Sequence, residues 1–405
     1  MNNVLGIIAE YNPLHNGHVY HIQNAKERAK AEYVVAIITG NFTQRGNTSV
    51  VNKWEKTRMA LKNGADLVIE LPTLYSISSA ENFASGGVKI LKDLGCISEI
   101  SFGMEEQDIS LLNNIAGVLV NEPIEFQKIL KEEIKKGLSY PKARENALVK
   151  YFNDKRYENI LKGSNNILAI EYLKALKKQK SNIIPIGIKR EKVYYNSKKI
   201  IDEYASSTGI RSLLLKNQIS EISKVVPTSS FNILYDNIKK GMYTLDLINF
   251  SDMIFYKFRS MTVKEIANLP DVSEGLEYLI KDSVEKTNNI IELINLIKNK
   301  RYTQTRIQRI LLYGLLGITK KDMEMAKNTV PYIRILGFNN NGKRLLPELK
   351  SKNIITSVKK FEDNCRSTKL KRMLEIDKKA TDIYTIVYKN NSKANLDYTN
   401  GMIIL

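Results

Sequence analysis

All three histidines of the chain, His15, His18 and His21, fall within seven residues. They belong to Glu10-Tyr11-Asn12-Pro13-Leu14-His15-Asn16-Gly17-His18, directly after an apolar run, Val4 to Ala9, that reads as a buried strand. Pro13 predicts a turn, and Gly17 removes a side chain where a ligand must approach the backbone. A helix opening near Asn16 would aim free N–H groups and the positive end of its dipole at that ligand. These are the requirements of a phosphate site. Two imidazoles three residues apart at a helix start share one side. They can donate hydrogen bonds to an α-phosphate as charge builds during displacement at phosphorus. Metal binding is the weaker reading, because no carboxylate or cysteine stands at matching spacing and HxxH without a third ligand seldom holds zinc. No protein-held metal is expected, and His21, one turn on, is expected to pack or cap.

A second polyanion cradle is written in Tyr204-Ala205-Ser206-Ser207-Thr208-Gly209-Ile210-Arg211. Hydroxyls of Ser206, Ser207 and Thr208 at a helix start, with the Arg211 guanidinium one turn later, suit β- and γ-phosphates or departing pyrophosphate. The ordinary alternative for such a run is an N-cap.

The elements that must position these groups alternate through the first half. Val4–Ala9, Tyr33–Ile38, Leu67–Ile69, Ile97–Phe102 and Ile183–Ile186 read as buried strands, with helical patterns over Gly17–Ala31, Lys53–Lys62 and Ser79–Leu94 between them. That rhythm predicts a parallel α/β doubly wound sheet over residues 1–215, with ligands beyond the carboxyl ends of its strands. Residues 105–180 hold more helix than one crossover needs and predict a helical insertion. Residues 216–405 read as a second, mainly helical domain. In it Val272–Asn299 and Tyr302–Leu316 are long amphipathic helices, and a small mixed element covers Tyr332–Leu336 and Tyr384–Tyr388.

The 405 residues carry 62 Lys+Arg against 43 Asp+Glu, a net charge of +19 that favours polyanionic partners. The excess is 7 in residues 1–215 and 12 in 216–405, of which 10 falls within 301–360. Cys96 and Cys365 stand far apart and outside any CxxC spacing, which argues against a disulfide framework and a cysteine-held zinc. Met1-Asn2-Asn3-Val4 leads into a strand without a basic segment, and the longest apolar stretch, Ile310–Ile318, is too short to span a bilayer. A cytoplasmic protein is expected, with no membrane contact.

The histidine segment resembles the HxGH signature of the nucleotidyltransferase superfamily, and Ser206-Ser207-Thr208 with Arg211 stands where that superfamily carries ISSTxxR. The resemblance implies a Rossmann-like domain. A closer likeness runs along nearly the whole chain. Thr39-Gly40-Asn41-Phe42-Thr43-Gln44-Arg45-Gly46, Gly64 to Pro72, Phe102-Gly103, Ser164 to Leu168, Lys300-Arg301-Tyr302-Thr303 and Pro331 to Gly337 resemble the bacterial tRNA(Met) cytidine acetate ligases. This implies activation of acetate by ATP and Mg2+ to acetyl-adenylate. Acetyl then passes, without acetyl-CoA, to N4 of the wobble cytidine of elongator tRNA(Met). It also implies ATP contacts through Ile7, Ile8, Ala9, Glu10, Tyr11, Asn12, Pro13, Leu14, His15, Asn16, Gly17, His18, Val19 and Tyr20, and through Gly103, Asn165 and Arg190.

The residues themselves are compatible with that. Gly103 ends a strand where a flat base can lie on backbone. Asn165 offers a donor and an acceptor, or a helix cap. Arg190 is a permanent cation near the phosphate end. Asn41, Gln44 and Arg45, on the loop after the second strand, suit a small carboxylate. Asp66, Glu70 and Trp54 are expected to be structural. Two positions depart from the family pattern: Leu14 replaces an aromatic, and Gln304 replaces a tryptophan. Arg301, Arg306 and Arg309 with Tyr302 interleaved, and Lys343-Arg344 beyond, suit an RNA backbone and an unstacked base, against the alternative of a solvated helix face. No protein partner is expected. The competing functions are a small-molecule adenylyltransferase and a non-enzymatic, nucleotide-sensing RNA-binding protein.

Overall fold

The computed structural model describes residues 3–138, 140–190, 204–390 and 392–405; Met1 and Asn2, named above as the lead-in to the first strand, lie outside them. The five expected strands form: β1 (Val4–Ala9), β2 (Tyr33–Thr39), β3 (Leu67–Leu71), β4 (Glu99–Met104) and β5 (Ile184–Lys189). They pair in parallel in the order β5-β4-β1-β2-β3, so the winding reverses between β1 and β4. That reversal opens a crevice beyond the ends of β1 and β4. The period-2 pleat gives the sheet two apolar faces: Tyr33, Val35 and Ile37 of β2 join one core, Val34, Ala36 and Ile38 the other.

Helix α1 (Asn16–Ala29) follows β1, α2 (Lys53–Lys62) links β2 to β3, and helix Ala80–Leu94 leads to β4. The starts are set by side-chain caps: Asn52 accepts from Trp54 and Glu55 N–H, and Ser79 from Asn82 N–H. The insertion between β4 and β5 contains helices Ile109–Asn121, Ile124–Lys135 and Tyr140–Phe152, then the crossover helix Ser164–Lys178.

Residues 216–405 depart from the expected second domain. Strand β6 (Ile333–Phe338) runs antiparallel along β3, with Phe338 opposite Leu67 and Arg334 opposite Glu70. The short strands β7 (Ile354–Ile355) and β8 (Ile403–Ile404) pair parallel to β6, so the C-terminal part extends the first sheet to eight strands. A division at residue 215 does not divide the core. All six residues of β6 are buried, and the open edge of β3 supplies the partner that local sequence does not reveal. Of the expected small mixed element, Tyr332–Leu336 falls largely on β6, while Tyr384 lies in helix Thr368–Ile386, its hydroxyl donating to Ser49 O at 2.8 Å. The expected helix over Val272–Asn299 is broken in two, Leu276–Lys286 and Ile290–Ile297, because Asn289 caps a new start by accepting from Ile291 and Glu292 N–H.

Asp66 and Glu70 are structural, as expected. Asp66 accepts from Val34 N–H at 2.9 Å and from the Asn339 and Asn341 side chains. Glu70 and Asp397 each meet both Lys53 and Arg334 in a buried quartet that ties β3, α2, β6 and the C-terminal segment together.

Candidate active site

His15 is the N-cap of α1, in extended backbone (φ −136°), and its carbonyl accepts from His18 N–H at 2.8 Å. Its own N–H donates to His18 Nδ1 at 3.2 Å, so neutral His18 carries its proton on Nε2. The two rings stack with centroids 3.7 Å apart and planes 24° apart, and Tyr11 packs edge-on against His18 at 5.0 Å. Burial, then Arg190 and Arg211, bring His15 down to about 3. Burial, then His15 and Arg190, hold His18 well below the usual imidazole range. Both rings are neutral at pH 7 and serve as N–H donors. His15 Nδ1 is buried with no protein partner. A β-carbon at Gly17 would come within 3.1–3.2 Å of the His15 ring, so glycine keeps that ring in place.

These histidines open into a cavity of about 450 Å³ over the β1–β4 crevice, of a size suited to a nucleotide. Ile7, Ile8, Ala9, Glu10, Tyr11, His15, Gly17, His18, Tyr20, Gly103, Asn165, Arg190, Ser207, Gln44 and Arg45 line it. The other expected positions stand behind the wall. Asn12, in a cis peptide with Pro13, donates to Thr48 O at 2.8 Å and accepts from Val50 N–H at 2.7 Å, pinning the loop after β2. Leu14 is fully buried in the core beneath the loop with Tyr11, Ala205 and Ile210, so its difference from an aromatic concerns packing and not the ligand. Asn16 donates to Lys224 O at 3.4 Å, and Val19 packs on the same core.

Ser206 is the N-cap of helix Ser207–Leu215, its Oγ accepting from Gly209 N–H at 3.0 Å; here the capping alternative is the one observed. Arg211 donates to Asn12 O at 2.9 Å and to Thr208 Oγ1 at 3.3 Å, tying this helix start to the start of α1. Two helix N-termini thus face one end of the cavity.

Of the three residues expected to hold a small carboxylate, Asn41 is elsewhere. It is buried, donates to Thr381 Oγ1 and accepts from Lys53 N–H, so its amide is used in packing. Gln44 donates its side-chain N–H to Ser78 O at 2.9 Å. Gly46 turns this loop at φ +75°, and a β-carbon there would stand 2.4 Å from Arg309 N and 2.7 Å from Gln308 C. Gly46→Ala is therefore expected to lower stability by about 1–3 kcal/mol by forcing this loop off the Gln308–Arg309 backbone. Urea melts check this.

Ala80, Phe83, Tyr172 and Thr305 complete the wall without a sequence signal, each brought in on a helix remote in sequence from the histidine loop, while Phe102, Ile167, Leu168 and Tyr204 lie in segments singled out above without a role of their own. His21, expected to pack or cap, also lines the cavity and shares a hydrogen bond with Ser101 Oγ at 3.0 Å. Glu105 acts through Asn165. Its carboxylate accepts from the N–H groups of Asn165 and Asn166 and, at 2.6 Å, from Asn165 Nδ2, leaving Asn165 Oδ1 toward Arg190 at 3.3 Å. That clasp fixes the amide orientation and starts helix Ser164–Lys178.

The residues expected to meet RNA separate. Tyr302 is buried, with Arg306 over its ring at 5.1 Å, so it cannot stack on a base. Arg306 donates to Asp271 O and Arg309 pairs with the Asp271 carboxylate at 3.0 Å, both joining helix Gln304–Leu316 to the 271–273 loop. Lys343 and Arg344 lie on helix Asn340–Leu345, whose Gly342 packs on Asp66 at the amino end of β3, opposite the cavity. Arg301 is exposed. Among the described residues no group of three metal-ligating side chains occurs, and no helix is long and apolar enough to cross a membrane.

A family model described as HIGH Nucleotidyl Transferase matches residues 1–399. Named relatives include the tRNA(Met) cytidine acetate ligase of Thermoanaerobacter sp. (strain X514), 46% identical over 99% of this chain and 100% of that protein. That of Acetivibrio thermocellus is 44% identical over the same shares. Among solved structures, apo Thermotoga maritima TmcAL superposes with a TM-score of 0.94 at 33% identity, covering 100% of this chain and 99% of that one. The same protein bound with alpha-thio ATP gives a TM-score of 0.92. With its histidine pair at a helix start on a reversing parallel sheet, and with likeness over its full length, the chain belongs to the tRNA(Met) cytidine acetate ligase family.

Proposed function

We propose that the chain activates acetate with ATP and acetylates N4 of the wobble cytidine of elongator tRNA(Met). The observation that carries this is the stacked, neutral His15–His18 pair facing a nucleotide-sized cavity in a chain that matches the ligase family from end to end. Its orphaned buried atoms, His15 Nδ1, Tyr11 Oη and Tyr172 Oη, fit a polar ligand such as ATP. An acetate oxygen attacks the α-phosphorus while His15 and His18 donate to the phosphate oxygens; Ser207 steadies the leaving pyrophosphate from the wall, with Thr208 and the Arg211 charge behind it. Beyond that the protein positions the reactants. An exocyclic cytosine amine is a weak nucleophile, so the acyl group must arrive activated.

Gln44 and Arg45 are the residues we assign to acetate. Mg2+ would travel with the triphosphate, held by phosphate oxygens and water, as this ion prefers. Arg301 and Lys189 are the basic groups we assign to the tRNA, the latter from the cavity wall. The purified chain with ATP, Mg2+, acetate and tRNA is expected to yield AMP, pyrophosphate and N4-acetylcytidine, read by nucleoside mass spectrometry. Product formed only with acetyl-CoA would overturn the reading. Acetate-independent transfer of AMP to a small phosphate would return the adenylyltransferase instead.

A further inference from the structure

The amine that takes the acetyl group must also lose a proton. Most titratable groups lining the cavity are poor acceptors for it. His15 and His18 are held neutral by burial and by Arg190, which disfavours their protonation. Arg45 and Arg190 are permanent cations without an acceptor lone pair. Glu10 is the one carboxylate in the lining among the described residues. A carboxylate is a costly choice beside a triphosphate and acetate, whose like charges repel it at close range.

Its setting is built. Glu10 follows β1 directly, at the reversal of the sheet. Its Oε1 accepts from the backbone N–H of Gln44 at 2.8 Å, which places the carboxylate between the histidine loop and the loop assigned to acetate. Its carbonyl accepts from Lys56 Nζ at 3.0 Å; that buried amine also donates to Thr39 and Ser49, so the main chain here cannot drift. Tyr172, stacked on Phe102 at 5.5 Å, brings a buried hydroxyl with no partner to the same cavity. Burial, then the Glu10 charge, push that phenol up, so it stays a neutral donor. Lys56 from α2 and Tyr172 from helix Ser164–Lys178 both feel the Glu10 charge, and Arg45, Arg190, His15, His18 and His21 share its cavity.

We propose that Glu10 is the base of the acetyl-transfer step, accepting the proton that the cytosine amine sheds. The inference rests on the function proposed above. The N4 lone pair forms a bond to the acetyl carbonyl carbon, and the bond from that carbon to the phosphate oxygen breaks. AMP leaves with the electron pair, and the surplus N4 proton passes to the Glu10 carboxylate and then to water.

The test separates the two half-reactions: acetate-dependent exchange of pyrophosphate into ATP, and single-turnover transfer from enzyme-bound acetyl-adenylate to tRNA. Glu10→Gln still accepts from Gln44 but takes up no proton. It is expected to slow transfer by ~10²-fold, far more than it slows exchange, and to abolish the fall of the transfer rate toward acid pH. Glu10→Asp is expected to restore part of both. Exchange and transfer falling together would overturn the proposal and place Glu10 in ATP or Mg2+ binding; transfer unchanged would overturn it outright. Absence of acetate-dependent exchange in the unaltered enzyme would refute the proposed function instead.

Discussion

His18→Ala is expected to lower acetate-dependent exchange of pyrophosphate into ATP by ~10²–10³-fold, about 3–4 kcal/mol of transition-state stabilisation, with tRNA binding retained. The side chain that disappears is an oriented donor: its Nδ1 is occupied by His15 N–H, which leaves the Nε2 proton for the phosphate. His15→Ala is expected to act alike and to let the His18 ring lose its stacking partner at 3.7 Å. Undiminished exchange in either variant would refute their role. The histidines of this segment carry a pH signature. His15 at about 3 and His21 at about 4 both lie below the 6.5 of an unfolded histidine. The unfolded chain therefore binds more protons between those values, and this contribution to stability is full above about pH 6.5 and lost as pH falls toward 3. The histidine Cε1–Hε1 NMR signals of the free enzyme should stay fixed from pH 5.5 to 8; a midpoint near 6.5 would show a ring open to water.

The parts of this site that sequence revealed are those made by neighbours in the chain. Val4 to His18 spells strand, turn and helix start within fifteen residues, so β1, the His15–His18 pair and the anion-seeking helix end could all be read before any long-range contact was known. Strands β2 to β5 were legible for the same reason, as runs of β-branched residues between amphipathic segments. What could not be read depends on partners that the local pattern does not name, from Thr48, 36 residues from Asn12, to Thr381, 340 residues from Asn41. Asn12 and Asn41 look like ligand groups until Thr48, Val50, Thr381 and Lys53 are seen to consume their amides. Tyr302 and Arg309 look like an RNA surface until Arg306 and Asp271 cover or pair them. Basic residues near an aromatic carry the same signature whether they face a nucleic acid or a neighbouring loop. Their charge locates neither.

Arg334→Met is expected to destabilise the whole protein by ~3–5 kcal/mol, because it leaves a buried carboxylate uncompensated. Arg334 stands 3.1 Å from Glu70 and 2.6 Å from Asp397, while Lys53 stands 2.9 and 2.6 Å from the same two groups. The four alternate in sign and are all nearly excluded from water. Lys53 and Arg334 bring Asp397 down to about 2 against its burial. Removing Arg334 strands two carboxylates around one ammonium, whereas Arg334→Met with Asp397→Asn restores one cation to one anion and is expected to recover much of the loss. The effect should also be global. Arg334 is on β6, which the ladder joins to β3 in the middle of the sheet, so urea unfolding should move as one transition with its slope unchanged. A variant that melts residues 216–405 alone and leaves the first five strands folded would mean that the C-terminal half is an independent domain after all. A loss under about 1 kcal/mol, the range of exposed ion pairs, would mean that water reaches the quartet and that apolar pairing of β3 with β6 suffices to close the sheet.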